Sequence, residues 1–143
     1  RPPKNNEAFA SPMQKPDERI PVDSRGVAST GTVTRIDVAT GQATHTIAVG
    51  LHPAALALDE KKQLLYVANG NSDSVSVIQT ASNAVVATIP VQIYAEKVKG
   101  ISPTGLALSA DGGTLYVSCG GINAVAVVDT VKRSVVGTIP TGW

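Results

Sequence analysis

The sequence predicts an all-β chain built from four-stranded antiparallel units, and three observations carry that prediction. Aromatic residues make up only 3% of the 143 residues, and valine, alanine, isoleucine, threonine and glycine dominate, a composition that suits short strands and tight turns. Short runs such as "TLYVSC" and "AVAVVD" alternate side chains with the period of two that a half-buried strand requires. Finally, "HPAALALDEKKQLLYVANGNSDSVSVIQTASNAVVATIPV" (residues 52–91) aligns without a gap on "SPTGLALSADGGTLYVSCGGINAVAVVDTVKRSVVGTIPT" (residues 102–141).

Residues 1–29 open with "RPPKNNEAFASPMQKPDERIPVD", which holds five prolines, mixed charge and few large apolar side chains. Such a segment cannot bury a core of its own, so it reads as a Pro-rich loop insertion, extended or partly disordered. Residues 30–50 contain "GTVTRIDVATGQATHTIAVG", where Val33, Ile36 and Ile47 align with Val75, Ile78 and Ile89; they are the third and fourth strands of a partial unit. Residues 51–91 form a full unit, residues 92–100 ("QIYAEKVKG" and its approach) an insert between units, and residues 101–143 a second full unit with the start of a further connection.

In the last unit the strands are "GLALS", "TLYVSC", "AVAVVD" and "VVGTIPT". Between the first two, Asp111 can close the turn through its carboxylate while Gly112 or Gly113 supplies a positive φ without a Cβ penalty. Asp129 and Asp37 stand after third strands, where a carboxylate can accept nearby backbone amides, and Asn69 opens the "NGNSD" turn; all five read as structural turn residues.

Four antiparallel strands repeated every 42 residues or so describe a propeller blade, and the small residues of the first strands (Ala54, Ala55, Ala57, Gly105, Ala107) fit a crowded position near a central axis. A β-sandwich would leave the regular repeat unexplained. The chain then holds about two and a half blades of a β-propeller, an incomplete ring. Because it starts without Met and stops at "IPTGW", the expectation is a piece of a longer polypeptide; closure by association is the alternative.

The second-strand motifs "YVAN" (Tyr66, Val67, Ala68, Asn69) and "YVSC" (Tyr116 and the three residues after it), with "VSVIQT", "VAVVDT", "VVATIPV" and "VVGTIPT", resemble the YVTN family of β-propeller repeats. Gln79 departs from the family's usual aspartate. The phrases "VGLHPAALAL" and "GTIPTGW" look more specifically like propellers that precede a phosphoesterase-like domain in bacterial secreted proteins. The resemblance implies an exported bacterial propeller, extracellular or periplasmic, used for binding or scaffolding, and carries over no catalytic residue. Other propellers of similar look bind haem or sit beside quinone chemistry in periplasmic redox enzymes. An accessory propeller of a hydrolase, or part of such a redox enzyme, is therefore the alternative reading.

Twelve basic against eleven acidic residues give a formal charge of +1 with no basic block, so nothing points to nucleic acid, and no apolar run is long enough to insert in a membrane as a helix. Cys119 is the only cysteine and reads as a small buried hydrophobe. His45 and His52 are the only histidines and fall on separate elements, so no metal site and no cofactor is predicted, although His52 could serve a noncovalent haem. No nucleophile has a base beside it, and no paired carboxylates are held at a useful spacing, so no catalytic residue is assigned.

Function is sought instead where the copies differ. Successive strands reverse, so second-to-third-strand loops and blade-to-blade loops emerge on one face. That face receives both insertions, His52, "NGNSD" and Trp143, whereas the opposite face keeps short turns. Binding residues commonly sit on loops held by a rigid scaffold. His52, Tyr94, Lys97, Lys99 and Trp143 are accordingly the candidate contacts for a protein partner, an adjacent domain or missing blades of the parent polypeptide.

Overall fold

A computed structural model describes residues 22, 24–94, 96 and 98–142. Ten strands make up its regular structure: β1 (Gly31–Asp37), β2 (Gln42–Val49), β3 (Pro53–Asp59), β4 (Leu64–Asn69), β5 (Ser74–Gln79), β6 (Ala84–Pro90), β7 (Pro103–Leu108), β8 (Thr114–Cys119), β9 (Ala124–Asp129) and β10 (Ser134–Pro140). They form a two-stranded sheet β1-β2, a middle sheet β3-β4-β5-β6 and a last sheet β7-β8-β9-β10, each a simple antiparallel meander. This is a partial β-propeller, and among the described residues the sheets do not close into a ring.

The alternation read in the sequence has a physical use on both faces of the middle sheet. Along β4, Tyr66 packs toward the last sheet, joining Val75, Val77, Ile89, Leu115, Val117, Cys119, Ala126 and Val128 in the larger core. Its neighbours Leu65 and Val67 point the other way and meet Ile78, Val33, Ile47 and Val49 in a smaller core against the two-stranded sheet. Both faces of β4 and β5 are therefore dry, and the polar residues there bond to each other: the Asn69 amide N–H donates to Ser74 Oγ at 3.2 Å and to Ser76 Oγ at 2.9 Å, while Asn69 Oδ1 has no partner among the described residues.

The sheets share one irregularity. Thr44, Val86 and Val136 are skipped in the pairing of each fourth strand with its third, and Ala54 and Thr104 are skipped in the first strands. A bulge at the same repeat position adds the same extra twist to each sheet, so successive sheets can stack in register. The turn left without glycine, at residues 60–63, reaches its positive φ at Gln63 (54°), whereas the corresponding turn of the last sheet uses Gly112 (68°).

Candidate functional site

The connections 50–52, 70–73, 91–102 and 120–123 come together at one end of the sheets, and backbone hydrogen bonds fix them there. Gly70 N–H donates to the His52 carbonyl at 2.8 Å and Asn71 N–H to the Leu51 carbonyl at 3.2 Å. Fifty residues on, Gly120 and Gly121 make the equivalent bonds to the carbonyls of Ser102 (2.9 Å) and Ile101 (3.1 Å). Glycine is required at 121, because a Cβ there would run into the Gly100 carbonyl. Each hairpin turn is thus sewn to the connection that precedes its sheet.

Asp73 adds a side-chain clasp. Its Oδ2 accepts the Gly100 N–H and its Oδ1 accepts the Ser102 N–H, both at 2.8 Å, while its own carbonyl accepts Val91 N–H at 2.9 Å. One residue therefore grips the insert at both ends, from a backbone with φ of +46° that aspartate tolerates better than most side chains. Val91 and Ile101 are buried at the two ends of the insert and Ile93 packs on the same core, whereas Tyr94, Glu96, Val98, Lys99 and Gly100 stand out. There Gln92 Nε2 donates to the carbonyls of Tyr94 and Glu96, closing the loop on itself, and Tyr94 is left half exposed.

His52 is exposed, with φ of +56°, and its ring lies against the turn: a Cβ on Gly70 would stand 3.0 Å from His52 Nδ1. Lys99 is exposed on the insert. The turn 70–73 is the shared support, holding His52 through Gly70 and the loop of Tyr94 and Lys99 through Asp73. Lys97 and Trp143, the other two candidate contacts, lie outside the described residues, as does most of the segment 1–29. Asp73 was not singled out from the sequence; the signal was the pair Asp73 and Asn123, aligned residues in turns that differ.

At the opposite end, the aspartates serve backbone geometry. Asp37 accepts Thr40 N–H (2.9 Å) and the Thr40 hydroxyl (3.0 Å), and these bonds hold its carboxyl below the usual range. The Ser109 hydroxyl (2.6 Å) and Gly113 N–H (3.0 Å) do the same for Asp111, and Lys132 N–H (2.8 Å) with Val131 N–H (2.9 Å) for Asp129. Asn69 differs from these. Its carbonyl accepts Ser72 N–H at 3.1 Å, but its side chain is buried between sheets rather than in the turn. Cys119 is buried, and burial pushes its thiol up, away from the thiolate needed for reactivity. A cavity of about 280 Å³ lies at this end among residues 58–61 and 108–112, and a second of about 470 Å³ lies between β1 and β3.

No protein-family model matches the chain, and no curated protein matches it. Among solved structures it is similar to hydrazine synthase of Kuenenia stuttgartiensis, a β-propeller-containing protein, with 36% sequence identity and a TM-score of 0.68. The similarity covers 78% of this chain and 30% of that one, so the chain spans less than a third of its relative's length.

Proposed function

We propose that the chain is a stretch of YVTN-type propeller that acts as a non-catalytic interaction module of an exported bacterial protein, presenting its loop-rich end to a protein partner or an adjacent domain. The observation that carries this reading is the grip of Asp73 on Gly100 and Ser102, which ties the end of the 92–100 insert to the scaffold. A loop clasped at its ends loses less entropy on binding than a free one, so the exposed Tyr94 ring and the exposed His52 imidazole can contribute surface at low cost. Aromatic residues on fixed loops are the usual anchors of such interfaces. The exported setting, extracellular or periplasmic, rests on the resemblance to the repeat family.

The test uses the immobilised chain with extracellular and periplasmic proteins of a bacterial source. The Tyr94→Ala and His52→Ala variants are expected to lose a protein that the unaltered chain retains, with unfolding temperature unchanged. Equal retention by all three would sink the proposal.

A second reading is favoured by the similarity to hydrazine synthase: the blades would then be part of a redox enzyme, with haem or quinone nearby. Visible absorbance of the protein after incubation with haemin separates the two. A Soret shift abolished by His52→Ala would support the redox reading, and no shift would leave the interaction module.

A further inference from the structure

Asn69 and Gly70 form the one Asn-Gly pair of the sequence. Asparagine is chemically labile, and most so before glycine, which has no Cβ to keep its amide nitrogen away from the preceding side chain. Attack of the Gly70 nitrogen on Asn69 Cγ forms a C–N bond, expels the side-chain nitrogen as ammonia and closes a succinimide ring. Water then opens one or other ring carbonyl and leaves aspartate or isoaspartate at position 69. The net change is amide plus water to carboxylic acid plus ammonia, with no oxidation.

The fold holds every participant in this step. The Gly70 N–H, which must give up its proton, donates to the His52 carbonyl at 2.8 Å. The leaving nitrogen, Asn69 Nδ2, donates to Ser74 Oγ at 3.2 Å and to Ser76 Oγ at 2.9 Å. Gly50 lies so close that a Cβ on it would stand 2.6 Å from Asn69 Cγ, and Asn69 is 0% exposed, so water has no path to the carbon. The Gly70 bond belongs to a seam between turn 70–73 and connection 50–52. Asn71 N–H to the Leu51 carbonyl (3.2 Å) and Leu51 N–H to Ser72 Oγ (2.8 Å) complete it. Asn71 and Ser72 are exposed, so the seam can part while the strands stay paired.

We infer that Asn69–Gly70 is a deamidation site gated by this seam, with water as its co-reactant. When connection 50–52 lifts from the turn, the Gly70 nitrogen is released and water reaches Asn69. The change runs one way. Aspartate at 69 places a carboxylate where the neutral hydroxyls of Ser74 and Ser76 are the side-chain donors, and isoaspartate adds a carbon to the main chain at the end of β4; both hold the seam open. The last sheet escapes this chemistry, because Cys119 takes the place of the asparagine before Gly120, although Gly120 N–H makes the same bond to the Ser102 carbonyl.

The test incubates the full chain at neutral pH and follows, by mass spectrometry of its peptides, the gain of about 1 Da at residue 69. The folded chain is expected to react at least about tenfold more slowly than a synthetic peptide of residues 64–78. Ser72→Ala removes one exposed bond of the seam and should speed the folded reaction about threefold or more. Urea below the unfolding transition should leave the rate nearly flat, since parting the seam exposes little surface. Deamidated chain, separated by its added negative charge, should exchange the Gly70 and Asn71 amides faster than unaltered chain. The inference is overturned if chain and peptide react alike, or if Ser72→Ala leaves the rate unchanged. It is equally overturned if the rate climbs with urea in step with global unfolding, or if deamidation leaves exchange at Gly70 and Asn71 as it was.

Discussion

Tyr66 and Tyr116 occupy the same register of successive sheets, opposite Val77 and Val127, yet Tyr66 is 1% exposed and Tyr116 is 39% exposed. Tyr66 is roofed by the last sheet, whereas the last sheet turns Tyr116 outward. Burial rather than residue identity therefore sets what each ring contributes. Tyr66→Ala is expected to cost about 3–5 kcal/mol in urea unfolding and Tyr116→Ala under about 1 kcal/mol. Tyr66→Phe should stay close to the unaltered chain, because the buried phenol oxygen has no well-formed hydrogen bond among the described residues. Similar losses for the two alanine variants would show that the outer face is covered in solution.

The Asp73 clasp gives a graded series. Asn at this position keeps one acceptor and tolerates positive φ, so Asp73→Asn should lose less than Asp73→Ala, which removes both bonds and places a Cβ-bearing residue with no compensation at φ of +46°. The alanine variant is expected to fall by about 1–3 kcal/mol. Hydrogen exchange should accelerate first at the Gly100 and Ser102 amides. Uniform acceleration across all sheets would instead mark Asp73 as a general stabiliser with no special hold on the insert.

How far the sequence reached follows from the range of each interaction. Strands at 103–108 and 114–119 were readable because their alternation and the gapless copy are local facts, and Asp37, Asp111 and Asp129 bond amides two or three residues away. Asp73 reaches residues 27 and 29 positions later, and nothing local announces that. The buried position of the Asn69 side chain was hidden for a related reason: it depends on Gly50 lying against it from the neighbouring connection. The exposure of Leu56 and Leu58 could not be read either, because it depends on which strands the adjoining sheet possesses.

The three turn aspartates predict the pH response. Each has its carboxyl held below the ordinary value of 3.8 by bonds to amides or hydroxyls that require the ionised form. A depressed carboxyl stabilises the fold fully above the unfolded value, and that contribution disappears as pH falls through the folded one. Tm should thus be flat from about pH 7 to 5 and decline below about pH 4. The triple variant Asp37→Ala, Asp111→Ala, Asp129→Ala should start lower and decline less steeply. A parallel decline would mean that other groups govern acid unfolding.

Lys62 and Asp59 form the bridge between the middle and last sheets at the turn end. Lys62 Nζ donates to the Gly112 carbonyl at 2.6 Å and stands 3.5 Å from Asp59 Oδ2, while Asp59 Oδ1 accepts Lys62 N–H at 3.0 Å. The Thr130 hydroxyl donates to the same Gly112 carbonyl at 2.7 Å, so that oxygen keeps a partner if the lysine is lost. Asp59, only 5% exposed, would keep a charge with no cation beside it. Removing one member of such a pair costs more than removing both charges, because the remaining one stays desolvated. Lys62→Met should therefore destabilise by about 1–2 kcal/mol, discounted for the partial exposure of the lysine. In the double variant with Asp59→Asn, the amide oxygen still closes the turn and no charge is stranded, so the loss should fall short of the sum of the single losses. A urea-unfolding cycle over the four proteins measures that shortfall. Strict additivity would mean that Lys62 acts on Gly112 alone and not through Asp59.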